Sequence, residues 1–229
     1  MDYSFINTVR NNNISRFSEL YNNFGNDERS VGWTKNKQPL RFAQIMSYVP
    51  SDAKTLLDIG SGLGDLYGFI SEDDVFRLIK YKGIDFMPDF VKEAAKNYPG
   101  GDFECIDFME SDINERYDVV VECGCFTNLD PKKDDESYEY IECFLKKALS
   151  VCTDSGVVIM HFLTDKVDYR TSELDFHIAP ERILKIAYSH SRRVVLDNMV
   201  FPFEACLAVY KDDSFNTGNT VFNRIFNAE

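Results

Sequence analysis

Two carboxylates bracket three alternating glycines in the run Thr55-Leu56-Leu57-Asp58-Ile59-Gly60-Ser61-Gly62-Leu63-Gly64-Asp65. Gly60, Gly62 and Gly64 let the chain turn sharply and let a ligand lie against the backbone with no Cβ in the way. An apolar run, a glycine turn and a helix start predict a nucleotide-type site at the carboxyl end of a parallel sheet. The dinucleotide fingerprint is Gly-x-Gly-x-x-Gly, which seats a pyrophosphate on a helix N-terminus. Here the spacing is Gly-x-Gly-x-Gly, and Asp58 and Asp65 repel a pyrophosphate while favouring a cation. A third acid, Asp85, ends the run Tyr81-Lys82-Gly83-Ile84-Asp85, 27 residues after Asp58. A carboxylate in that position accepts two hydrogen bonds from the hydroxyls of a ribose.

At these residues the chain resembles the class I S-adenosylmethionine-dependent methyltransferases, whose first motif is an acid followed by Gly-x-Gly-x-Gly. That cofactor carries a sulfonium and an ammonium group and no phosphate. The resemblance implies that Asp58, Gly60, Ser61, Gly62 and Gly64 cradle it, that Asp85 takes its ribose, and that Phe86 and Met87 pack near the adenine. It also implies that Asp107 bonds the adenine amino group while Phe108 stacks on the ring, both in the strand-to-loop run Phe103–Phe108. Tyr117–Glu122 looks like the family's fourth motif, which puts Glu122 and Cys123 beside the methyl group and Phe126 close to the acceptor. The Asn/Asp-Pro-Pro-Tyr/Phe signature of amino-methylating enzymes is absent, which argues against DNA amino-group chemistry.

Methyl transfer from a sulfonium is an in-line displacement, so the protein must mainly align the reactants. An oxygen acceptor gains from a general base, whereas a carboxylate needs none. His161, at the end of the fifth strand, and His177, on the following loop, are the candidate bases; His161 has an alternative reading as a satisfied structural histidine. Trp33, Arg41, Tyr169 and Arg170 are candidates for holding the acceptor, with Arg41 and Arg170 able to pair with an anion. The alternative for both arginines is a plain surface charge.

The elements that must position these groups follow from apolar periodicity. Ile14, Phe17, Leu20, Tyr21 and Phe24 predict a helix from about Ile14 to Phe24, and Gln38–Tyr48 a second. Residues 1–50 then either cap the core or lie over the ligand site as a lid. Strands are expected at Lys54–Ile59, Tyr81–Asp85, Phe103–Phe108, Tyr117–Glu122, Val157–Phe162, Arg193–Asn198 and Ala205–Lys211. Helices are expected at Leu63–Ile70, Pro88–Tyr98, Tyr138–Cys152 and Pro180–Ser189, with a charged loop at 131–137 and a turn at Asp154-Ser155-Gly156. The expected architecture is α/β: a seven-stranded, mostly parallel, doubly wound sheet with a C-terminal antiparallel hairpin, in three α/β/α layers. Residues 51–211 form the methyltransferase core of a single domain, and residues 212–229 a tail.

A chain of 229 residues buries a proper core. Its formal charge of −13 disfavours a nucleic-acid partner. The six cysteines lack a Cys-x-x-Cys pairing and read as reduced thiols, and no ligand set for a metal stands out. With no leader pattern and no membrane-spanning run, the expected location is the cytoplasm. The reading that results is a methyltransferase that uses S-adenosylmethionine and acts on an oxygen of a small molecule, a sugar or other metabolite. The rivals are a protein or RNA acceptor, a nicotinamide dehydrogenase, and a cofactor-binding protein without turnover.

Overall fold

The computed structural model describes residues 3–33, 37–166 and 175–212. Seven strands, β1 (Thr55–Ile59), β2 (Lys80–Asp85), β3 (Phe103–Cys105), β4 (Tyr117–Cys123), β5 (Cys152–Leu163), β6 (Val194–Asp197) and β7 (Glu204–Tyr210), form one sheet in the order β3-β2-β1-β4-β5-β7-β6. Pairs from β3 to β5 are parallel, and β7 runs antiparallel to both β5 and β6. The mostly parallel sheet with its antiparallel C-terminal strands is the expected one. Strand order reverses between β1 and β4, and ligands of open α/β sheets bind at the carboxyl ends beside such a switch. Register brings those ends level: Ile59 lies opposite Ile84 on one side and Glu122 on the other.

Helices α1 (Tyr3–Phe24), α2 (Gln38–Met46), α3 (Asp65–Ser71), α4 (Pro88–Asn97), α5 (Asp134–Ser150) and α6 (Pro180–His190) surround the sheet. Alternation along the strands sorts the core into two layers. Leu57, Val120 and Val158 pack with Ile141 and Leu145 of α5 and Ile183 of α6. Leu56, Val119 and Val157 pack with Ile45 of α2 and Leu66 of α3. Among the described residues, no helix is long and apolar enough to cross a membrane.

Four element boundaries differ from the expectation by three residues or more, the first being β3, which ends at Cys105 rather than Phe108 and leaves Asp107 and Phe108 in the following loop. Helix α1 starts at Tyr3 rather than near Ile14, because Phe5 and Val9 continue the four-residue spacing through Asn13 to Phe17 and are themselves buried. Phe5 meets the Tyr140 ring edge-on at 6.5 Å, which anchors this first half on α5. Helix α5 starts at Asp134, inside the expected charged loop. Asp134, Asp135 and Glu136 occupy its first turn, where acids complement the helix dipole, and Arg182 of α6 pairs with Asp134 and Asp135. Asp154-Ser155-Gly156 is strand rather than turn: β5 opens at Cys152, with a register shift against β4 between Tyr117 and Val119. Thr153 Oγ1 donates to Asp118 Oδ1 there at 3.0 Å.

Candidate active site

Directly after β1 the chain enters the glycine turn. Gly60 has φ +74°, and a Cβ there would lie 2.5 Å from the Cys125 sulfur, so both conformation and space require glycine. The amides of Gly60 and Ser61 donate to the Ile84 carbonyl at 2.8 and 3.0 Å, tying the turn to β2. Asp85 ends β2 beneath it. Its Oδ2 accepts from Gly62 N at 3.0 Å and its Oδ1 from Met87 N at 2.8 Å. Asp85 also lines the cleft beside the turn. Burial pushes this carboxyl up to about 6, against the pull of those amides.

That cleft runs along the carboxyl ends of the first four strands, lined there by Gly60, Gly62, Asp85, Phe86, Asp107, Phe108 and Cys123. Asn13 and Phe17 of α1, with Val31 and Trp33, close it from above. Asp107 Oδ1 accepts from Met109 N at 3.0 Å, and Arg10 Nε lies 3.3 Å from its other oxygen. Phe108 is buried against Phe144 at 5.0 Å. Asn13, only 7 % exposed, has no partner for its Oδ1. Among the described residues, no lysine or arginine lines this cleft.

Several expected contributors stand back from it. Asp58 is buried, accepts from the Tyr81 hydroxyl at 2.6 Å, and is pushed by burial up to about 7. It borders a small side pocket with Ser61 and Asp65. Gly64 caps the start of α3, and Met87 packs on Leu63 and Phe90. Glu122 is fully buried, accepts from Cys125 N at 3.0 Å, leaves Oε1 without a partner, and is pushed by burial up to about 8.

A second cavity adjoins the first. Phe17, Val31, Trp33 and Gly124 line both, so they form the partition. Gly124 has φ +87°, and a Cβ on it would come within 3.0 Å of the Trp33 indole. Arg41 and Glu204 lie on the far side as a buried pair, with Nε to Oε2 at 2.7 Å and Nη2 to Oε1 at 2.5 Å. The Arg41 guanidinium also sits 4.2 Å from the Trp33 ring and 4.9 Å from that of Phe201.

Three of the expected residues line neither cavity. His161 is 1 % exposed and lines neither cavity; it sits 3.5 Å behind Glu204 Oε2. Burial and then the Arg41 charge push its imidazole down to about 3, which favours the neutral form. His177 also lies outside both cavities, with Nδ1 3.0 Å from the Asp175 carbonyl. Phe126 is fully buried on Phe144 and does not face the acceptor side. Tyr169 and Arg170 lie outside the described residues. Sequence reasoning did not single out Asn13, Lys37 or Glu204, which line the two cavities. The four-residue spacing from Phe5 to Phe17 offered a signal for Asn13 alone.

No family model matches the chain. One curated protein, named "Putative methyltransferase 235L", from Invertebrate iridescent virus 6, is 36% identical over 75 residues. That match takes in 31% of this chain and 26% of the relative, so about a quarter of the relative's length is spanned. Among solved structures, DhpI in complex with SAH superposes with a TM-score of 0.63 at 17% identity, over 91% of this chain and 97% of that one. The DhpI-SAM-HEP complex gives 0.64 at 15% identity, over 91% and 98%. The plantazolicin methyltransferase BpumL in complex with SAH gives 0.58 at 12% identity, over 90% and 99%. Sheet order, glycine turn and these superpositions together define the class I methyltransferase fold.

Proposed function

We propose that this chain is an S-adenosylmethionine-dependent methyltransferase acting on an oxygen of a small molecule, a sugar or other metabolite. The cleft at the switch point carries this reading: carboxylates line it, and no described lysine or arginine does. That chemistry suits a ligand bearing a sulfonium and an ammonium and repels a pyrophosphate. The Asp85 carboxylate at the cleft suits a ribose diol, and the orphaned Oδ1 of Asn13 suits an amino donor of the same ligand. Asp107 and Phe108 would hold the base, and the side pocket at Asp58 and Ser61 supports the turn. When bound, the cofactor supplies an already activated methyl group.

The chain's own task is then to orient, shield and separate. Residues 1–50 serve as the lid, since Asn13, Phe17, Val31 and Trp33 roof the cleft. The Trp33–Gly124 partition is the natural meeting place of the two ligands, because it belongs to both cavities. The six free cysteines support a cytoplasmic setting. A second reading, a cofactor-binding protein without turnover, draws on the placement of His161 and His177 outside both cavities. An acceptor oxygen that is already ionised removes that objection, since it needs no base.

Calorimetric titration with S-adenosylhomocysteine, with NADH run alongside, tests the proposal. Micromolar binding of S-adenosylhomocysteine alone is the expected result. Absence of that binding, or a signal from NADH, overturns it.

A further inference from the structure

Arg41 is 5 % exposed: the Glu204 fork holds its Nε and Nη2, and the guanidinium sits close to the Trp33 and Phe201 rings. Arg41 lines the second cavity, and its buried Nη1 has no hydrogen-bond partner. A charged donor held away from water without a partner is costly, and the cost is relieved by an oxygen delivered to it. Asn128 lines the same cavity, and its Oδ1 is likewise without a partner. It asks for a donor. Lys37 and Arg16 also border the space, so among the described residues three cations and the two carboxylates of Glu204 and Asp175 line it, on a chain whose formal charge is −13. Arg16 is engaged in part by Asp175 at 3.8 Å.

We propose that the second cavity seats an oxyanion of the methyl acceptor, a carboxylate or phosphate-type group, on the Nη1 edge of Arg41, with a hydroxyl or N–H of the same molecule donating to Asn128. This rests on the methyltransferase reading for what the adjoining cleft holds, but binding of the anion can be read without it. The acceptor is thereby narrowed from any metabolite to a small hydroxylated or amino-bearing organic acid. Arg41 acts here as a binding residue, and Glu204 positions it.

The probes are benzoate, phenylphosphonate and the neutral benzamide, titrated by ligand-observed NMR into the protein with and without S-adenosylhomocysteine. Both anions should bind about tenfold or more tightly than benzamide, as expected when a charge-assisted bond is gained. Their ranking separates a carboxylate from a phosphate-type acceptor. Arg41→Lys keeps a cation for Glu204 but removes the Nη1 donor, and should weaken anion binding about tenfold while S-adenosylhomocysteine affinity holds within about twofold. Should that variant fail to fold by circular dichroism, Lys37→Ala and Asn128→Ala carry the test, each with a loss of about threefold or more. Equal affinity for benzamide and benzoate, or unchanged anion affinity in the folded variants, overturns the inference. Loss of S-adenosylhomocysteine binding in the unaltered protein overturns the methyltransferase reading instead, and leaves the anion titration readable.

Discussion

Asp85 accepts from the amides of Gly62 and Met87 and holds the glycine turn in place with them. Replacing it by alanine removes both that support and the expected ribose contact. Asp85→Ala should weaken S-adenosylhomocysteine binding by about 1–3 kcal/mol, measured by calorimetry on a variant whose melting curve shows it folded. Unchanged affinity would reject the ribose assignment. Glu122 gives a different kind of test. Its folded carboxyl titrates at about 8 against an ordinary value of 4.5, because burial disfavours the charge. Between those values the folded state binds a proton that the unfolded state lacks, so stability is highest below the lower value and falls as pH rises through the higher one. Glu122→Gln cannot ionise. Relative to the parent it should gain on the order of 1 kcal/mol or more between about pH 5 and pH 9, read from melts across that range. A constant difference across pH would mean that Glu122 stays ionised when folded.

At the scale of elements, the glycine turn and α1 make opposite demands. The turn must be rigid: Gly60→Ala forces a side chain into φ +74° and toward Cys125, and should cost about 1–3 kcal/mol of stability in chemical denaturation. Asn13 and Phe17 of α1 line the cleft, so ligand binding should slow amide exchange in 3–24 and around Trp33 more than in α6, which lines neither cavity. Equal protection everywhere would argue against a lid. What was legible in the sequence follows the same division. The turn and Asp85 were readable because they are local, a few residues whose types dictate backbone shape and charge. The first half of α1 was not, because Asn11, Asn12 and Asn13 interrupt its apolar spacing, and Phe5 and Val9 gain their burial from α5, far along the chain. The start of α5 was obscured by its charges, which the helix dipole and Arg182 make favourable. Arg41 was readable as a candidate, but not its buried state, since its partner stands 163 residues away. His161 carried the right chemistry for a base, and only the fold shows it turned away from both cavities.

The molecule as a whole carries a formal charge of −13. Self-repulsion of that size lowers the stability of a compact state, and salt screens it. The melting temperature should therefore rise by a few degrees between about 10 and 150 mM sodium chloride, even though anion binding in the second cavity should weaken over the same interval. Opposite trends in the two measurements would separate the global field from the local one. The sheet's two outer strands are short, three residues in β3 and four in β6, which leaves little edge open to pairing with another chain.

The placement of β7 has a consequence for how the protein is made. It is seventh in sequence yet sits inside the sheet, between β5 and β6, and brings Glu204 to Arg41. During synthesis every other strand leaves the ribosome first. Until Glu204–Tyr210 emerges, β5 has an open flank and Arg41 no carboxylate to meet. Closing the sheet and completing the second cavity are thus a single late event, and nascent chains stalled before Glu204 should be cleaved readily by protease while longer ones resist.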